Sequence, residues 1–380
     1  MVSRYSTLYP FQDINVSSAV IRSGTGWSLF NLCNIFAQTL MKHIVTLQER
    51  SHRTGNIIGV NAYRINRAAL YQGLLNQGYE IQETPHFLIA LNESVPTRFT
   101  DAFYSDYQSS ILVAHWFAPS EIDANLGQYV MSELKAFGLL STPERFGEVF
   151  GAIVMSLSPR EPERAWRLYG NNTLIRYSVL IDNPPSMPNT DFPLDVFATL
   201  YKRVCEVQVE SEGTSLLDAG CSFGSLPLVV AERVPSLTRV VGVDIETSSF
   251  PTVQFFAAKR HLTNVQFQRA NLLTDEVEQL GQFDTVTILH VLEHFTEEEM
   301  YEVLSHLLQV VQKRLIIAVP YEEDEPEEAY GHKQLFTPTK LETVGRWCVE
   351  RLGHGMFEVE ECVGGLLVVY VDGSIIKIDK

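Results

Sequence analysis

Leu216-Leu217-Asp218-Ala219-Gly220-Cys221-Ser222-Phe223-Gly224, followed by Val240-Val241-Gly242-Val243-Asp244, is the stretch that decides the fold. A short apolar run enters a turn of small residues, a helix-forming segment covers 226–234, and a second apolar run ends in an acid. That is the pattern of a βαβ unit that holds a nucleoside. Gly220 and Gly224 lack a Cβ, so the backbone can take unusual dihedrals there and a ligand can approach it closely. The helix that follows directs free N–H groups at whatever occupies the turn. Asp244, at the end of the second strand, can accept hydrogen bonds from both ribose hydroxyls.

The details of the turn choose among nucleotides. A dinucleotide fingerprint, G-x-G-x-x-G, wants glycines where this chain has Gly220, Ser222 and Ser225, so NAD fits poorly. The spacing Asp218-x-Gly220-x-x-x-Gly224 instead resembles motif I, D-x-G-x-G-x-G, of the class I S-adenosylmethionine-dependent methyltransferases. Ser222 replaces the middle glycine, and its small side chain can sit beside the methionine part of the cofactor.

The resemblance runs over roughly residues 192–371. A helix is expected from Phe250 to His261, then a third strand at Val265-Gln266-Phe267 leading to Ala270-Asn271-Leu272-Leu273. In the family that turn carries an acid that meets the adenine amino group; Asn271 occupies the place and keeps an acceptor oxygen. Phe283 to Leu289 continues into His290-Val291-Leu292-Glu293-His294-Phe295 and looks like motif IV, a fourth strand ending in L-E-H. A helix over Glu297–Val310, a fifth strand over Arg314–Pro320, a helix over Pro338–Leu352 and strands at Phe357–Cys362 and Gly365–Val371 complete the order. The resemblance implies a Rossmann-like α/β domain with a seven-stranded, mostly parallel sheet and a final antiparallel hairpin. It also implies S-adenosyl-L-methionine as cofactor, bound by Asp218, Gly220, Ser222, Gly224, Asp244, Ile245, Asn271, Leu272 and His290.

A chain of 380 residues, 45% hydrophobic and 20% charged, is expected to form two soluble domains. Asp182 to Thr190 holds three prolines, which remove backbone donors and block regular structure. The expected division is therefore an N-terminal domain at 1–182, a linker at 183–191 and the methyltransferase domain at 192–380. In the first, Trp27–Arg50 is an amphipathic helix, and further helices are expected over Asn66–Gln77, Ile122–Phe137 and Glu144–Met155. The short apolar runs at 57–60, 87–90 and 111–113 read equally as strands or buried turns of helix. The N-terminal domain is thus expected to be separate and mainly helical or mixed, serving as lid, acceptor pocket or dimer surface. An aromatic-rich stretch, Phe103, Tyr104, Tyr107, His115, Trp116 and Phe117, is a candidate pocket lining set against an ordinary core role.

No stretch approaches eighteen consecutive apolar residues and no basic-then-apolar leader opens the chain, which gives the expectation of a cytoplasmic protein that does not engage a membrane. Five scattered cysteines with no C-x-x-C pair suit free thiols, not a disulfide framework or a metal site. Residues 1–190 carry 14 basic and 15 acidic side chains, so nearly all of the net charge of −17 lies beyond them. Part of it is the run Glu322-Glu323-Asp324-Glu325-Pro326-Glu327-Glu328, read first as a solvated loop. Such a field repels a phosphate backbone and argues against a nucleic-acid partner.

Methyl transfer needs a nucleophile in line with the sulfonium methyl and, for a hydroxyl, a base. His294 follows the fourth strand on the carboxyl edge of the sheet, where open α/β folds place ligands, and is the first candidate; ordering the loop is its alternative role. Glu293 is a candidate to orient an imidazole or bond a substrate. His332, in Tyr330-Gly331-His332-Lys333-Gln334-Leu335-Phe336-Thr337-Pro338, resembles an H-x-x-x-F-T segment of small-molecule methyltransferases that lies near the acceptor. The expected partner is a small-molecule acceptor, methylated on a hydroxyl oxygen ahead of nitrogen or carbon, in secondary metabolism, by a possible homodimer. A peptide, protein or carrier-bound substrate, and a non-catalytic S-adenosylmethionine-binding regulator, are the alternatives.

Overall fold

A computed structural model describes residues 57–92, 111–322, 325–327 and 330–371. The helix expected over Trp27–Arg50 and the aromatics Phe103, Tyr104 and Tyr107 lie outside them.

The three ambiguous apolar runs of the first half are strands. β1 (Ile57–Asn61), β2 (Tyr79–Glu83), β3 (Phe87–Asn92) and β4 (Ile111–His115) form a four-stranded sheet in the order β1-β4-β3-β2. β1 and β4 run parallel and the other pairs antiparallel. Every residue of β4 is buried, so its two faces cannot show the alternation that marks a half-exposed strand. Helix α1 (Arg67–Leu75), capped by Asn66, packs its Leu70 and Leu74 on one face of this sheet. Helices α2 (Leu126–Leu134) and α3 (Pro143–Met155) cover the other.

Helix α4 (Pro162–Asp182) has no counterpart among the sequence expectations and joins the two halves. Ala165 and Tyr169 sit in the core under the four-stranded sheet, whereas Tyr177 and Ile181 belong to a core built by the second half. The Pro-rich segment 183–191 follows it, and Pro193 opens α5 (Pro193–Glu210), which packs against α4.

The second half alternates strand and helix: β5 (Ser215–Ala219), α6 (Ser225–Arg233), β6 (Arg239–Asp244), α7 (Phe250–Lys259), β7 (Val265–Arg269), β8 (Phe283–Leu289), α8 (Glu297–Val310), β9 (Val311–Val319), α9 (Pro338–Leu352), β10 (Met356–Glu361) and β11 (Gly365–Tyr370). The sheet order is β10-β11-β9-β8-β5-β6-β7, and β11 alone runs against its neighbours. This is the seven-stranded, mostly parallel sheet with a closing hairpin that the family resemblance implies. The helix boundaries follow local chemistry. Thr296 and Glu299 form a reciprocal capping box at the start of α8. Thr337 accepts from the Lys340 N–H with Pro338 in the first turn of α9, and Gly353 ends that helix at φ +74°.

The order reverses between β5 and β8, whose carboxyl ends part to opposite sides and leave a crevice there. No described helix is long and apolar enough to cross a membrane.

Candidate functional site

A cavity of about 680 Å³ occupies that crevice. Its floor is the β5 turn and the segment after β8; its roof is α3 and α4, with Phe146, Phe150, Tyr169 and Thr173 facing inward.

The β5 end is built largely from backbone. Gly220 has φ +78°, and a Cβ there would lie 2.5 Å from the Val291 side chain, so only glycine leaves the turn in place. The Gly220 and Cys221 N–H groups both donate to the Val243 carbonyl. Gly224, at φ +72°, caps α6. Ser222 is also left-handed, at φ +48°, a conformation that costs a residue with a Cβ about 1–2 kcal/mol. It is held there because its N–H donates to Asp244 Oδ2 at 2.8 Å while its carbonyl accepts from the Ser249 hydroxyl. Asp244 thus ties the two strand ends together, its other oxygen accepting the Glu246 N–H. Ile245 beside it is 59% exposed, an apolar face without a protein neighbour to cover it fully.

Asp218 lines the cavity and is buried, with the Thr287 hydroxyl donating to its Oδ1 at 2.7 Å. Burial pushes its carboxyl up to about 7, against the lowering pull of that hydrogen bond. Asn271 stands in the turn after β7, where its Oδ1 accepts the Leu273 N–H and its own N–H donates to Glu276. Leu272 next to it is buried in the main core.

The β8 end is built from side chains. His290, at φ +53°, is the second non-glycine residue held left-handed at this edge, its N–H donating to the Ala318 carbonyl. Both of these left-handed residues, Ser222 and His290, line the crevice. The His290 ring packs on Phe197, and burial holds it down at about 4. A 3₁₀ turn at Leu292–His294 then sets Glu293 inward, 1% exposed, with one carboxylate oxygen 3.5 Å from His290 Nδ1 and the other without a partner. Burial pushes Glu293 up to about 8.

His332 arrives from the segment before α9. Gln334 donates to the Leu292 and Phe295 carbonyls, and the Lys333 N–H to the Glu293 carbonyl, stapling that segment across the 3₁₀ turn. The His294 and His332 rings consequently stand edge to face, 4.9 Å apart between centroids. His294 Nδ1 lies 3.3 Å from the Gly331 carbonyl, and burial holds this ring below the usual histidine range. His332 Nδ1 lies 2.6 Å from Glu322.

Asp218, Gly220, Ser222, His290, Glu293, His294 and His332 therefore border one cavity, whereas Asp244, Ile245, Asn271 and Leu272 lie beyond its rim along the carboxyl ends of β6 and β7. The aromatic stretch near 115 is not part of it. His115 and Phe117 are buried in the N-terminal core, and Trp116 lies under Arg67. Besides Phe223 and Tyr330, the cavity's aromatic lining includes Phe146, Phe150, Tyr169, Tyr177, Phe197 and Tyr201, which the sequence analysis did not single out for that role. Spacing of four residues in Phe146/Phe150, Tyr169/Thr173/Tyr177 and Phe197/Tyr201 was the available signal. Nor is the acidic run wholly solvated. Glu322 faces His332, and Glu327 pairs with Lys135 at 2.7 Å, tying the run to the N-terminal half.

Residues 216–314 match the family model described as a methyltransferase domain. Magnesium-protoporphyrin O-methyltransferase of Synechocystis sp. is 32% identical over 107 residues, which are 28% of this chain and 44% of that protein. The first curated relatives are thus matched over less than half of their own length. Among solved structures, an O-methyltransferase family protein from Burkholderia thailandensis covers 91% of this chain and 98% of its own, at 14% identity and a TM-score of 0.46. A small RNA methyltransferase covers 51% of this chain and 27% of its own, at 18% identity and a TM-score of 0.40.

Proposed function

We propose that this chain, which carries a class I S-adenosylmethionine-dependent methyltransferase domain, methylates a hydroxyl oxygen of a small-molecule acceptor held between that domain and α3–α4. The observation that carries the proposal is the opening of the Gly220 turn and the Glu293/His294/His332 cluster into the same roofed cavity.

The residues present fit the cofactor. Gly220 and Ser222 leave the turn open, Asp218 offers a buried carboxyl for an ammonium group, Asp244 stands at the strand end for ribose hydroxyls, and exposed Ile245 offers an apolar face to a purine. When bound, S-adenosyl-L-methionine supplies a sulfonium methyl that passes to the acceptor oxygen as the S–C bond breaks, leaving a neutral thioether.

The chain's own part is positioning and proton removal. With Nδ1 of His294 and of His332 each engaged by an oxygen, Nε2 of each ring is the atom left to accept from a hydroxyl at the cluster. The aromatic roof offers a surface for the acceptor's apolar body. A small molecule suits this cavity better than a nucleic acid, whose phosphates would meet a strongly acidic second half. An oxygen acceptor is also what the name of the Synechocystis relative describes for that protein.

The test is release of S-adenosylhomocysteine by the purified full chain against panels of phenols, catechols and aliphatic alcohols, with a protein extract and a short RNA as further arms. Turnover confined to a hydroxyl compound is the expected result. Turnover only with protein or RNA refutes the acceptor class, and cofactor binding without turnover in any arm refutes catalysis.

A further inference from the structure

Glu293, His294 and His332 each bring one donor atom to a point where all three lie within 4.8 Å of one another. We propose that this cluster is a divalent-metal site, and that the acceptor binds through it by oxygen. The inference deepens the function proposed above and rests on that reading for the identity of the acceptor.

Three independent features point to a cation. The first is the pair of Nδ1 contacts. Histidines that ligate a metal nearly always donate their other ring N–H to a carboxylate or backbone carbonyl, which fixes the tautomer and leaves a lone pair on the ligating nitrogen. His332 has Glu322 in that role and His294 has the Gly331 carbonyl. The second is Glu293, buried with one carboxylate oxygen unpaired. A buried acceptor without a partner is destabilising, and a metal bond would satisfy it. The third is restraint. The segment bearing His332 is stapled to the turn bearing Glu293 and His294 through Gln334 and Lys333, and a Cβ on Gly331 would lie 3.1 Å from Pro143 of α3.

Bonds of about 2.0–2.2 Å to two imidazoles and a carboxylate would draw these atoms in from separations of up to 4.8 Å, so the three side chains must close on the ion. Two histidines and one carboxylate suit zinc, cobalt, iron or manganese, and leave coordination positions open toward the cavity. An acceptor with two adjacent oxygens, as in a catechol, fits those positions best. With both Nε2 atoms taken up as ligands neither ring would be the base, and coordination would instead hold the nucleophile and ease loss of its proton to solvent.

The experiment uses the full chain stripped with a chelator and titrated with cobalt(II), read by its visible absorption and by calorimetry. One tight equivalent is expected, weakened at least about tenfold in His294→Ala, His332→Ala and Glu293→Gln, and roughly 10–100-fold in Glu322→Gln, which acts through His332. Catechol is expected to shift the cobalt bands. S-adenosylhomocysteine affinity, measured on the same samples, reports separately on the cofactor reading and on folding. Cobalt binding that is absent in the wild type, or unchanged across the variants, overturns the metal site. Bands indifferent to catechol overturn the acceptor's place on it.

Discussion

The two ends of the cavity are made differently. The β5 end is one contiguous stretch, 216–245, and works through backbone conformation: two glycines, a left-handed serine and a carboxylate that clamps it. The β8 end gathers side chains from α3, α4, α5, the turn after β8 and the loop before α9. The proposed cofactor end should therefore be intolerant of added atoms, and the proposed acceptor end sensitive to removed ones.

The largest effect that tests this contrast is at the acceptor end. His294→Ala should lower kcat about 10²–10⁴-fold with S-adenosylhomocysteine affinity held within about twofold, measured by single-turnover assay and calorimetry. Parallel loss of affinity would erase the division between the ends. At the other end Gly220→Val should reduce affinity more than about 100-fold, since left-handed strain of roughly 1–2 kcal/mol adds to the clash with Val291. Gly220→Ala, milder in bulk, should show the same direction if the larger change unfolds the chain.

Asp244→Ala removes the clamp and the acceptor for ribose hydroxyls. Hydrogen bonds to charged groups contribute about 1.5–3 kcal/mol, so affinity should fall roughly 10–100-fold. Asp218 gives a pH signature. Burial raises its carboxyl to about 7, above the usual carboxylate range, so the folded chain holds a proton that the unfolded chain has lost. Stability from this group is full at low pH and declines as pH rises between about 4 and 7. The carboxylate that would meet an ammonium group forms over the top of that window, so cofactor affinity should rise about tenfold from pH 6 to pH 8, and Asp218→Asn should flatten the rise. The smallest effect is Ser222→Gly. It relieves left-handed strain but adds about 0.4–1 kcal/mol of unfolded-state entropy, so denaturant midpoints should move little and affinity should be kept.

The same contrast explains what the sequence shows. The elements from 194 to 370 are legible because parallel strands are continuous apolar runs separated by amphipathic helices, and Gly220, Gly224, Thr296 and Thr337 mark their boundaries. The roof is illegible for a physical reason. Helix α4 buries Ala165, Gly170 and Thr173 among its contacts, residues that carry little hydrophobic signal, so its period does not stand out. A Cβ on Gly170 would lie 2.7 Å from both Phe223 and Phe256, so closeness of packing, not apolar bulk, sets that contact. Glu322 was hidden in a run of acids, and only the fold shows which of them meets a histidine.

Phe223 lies inside the cofactor turn, yet its ring packs edge-on against Tyr169 with the aromatic core of the N-terminal half. A protein severed at 182 would part Tyr177 and Ile181 from the hydrophobic surface they cover and strip this phenyl group of its neighbours. The loop proposed to cradle the nucleotide is in this sense shared property. Dissection of the chain into halves should yield a sticky, poorly melting carboxyl-terminal fragment, and occupancy of the cradle should stiffen the helical ceiling above it.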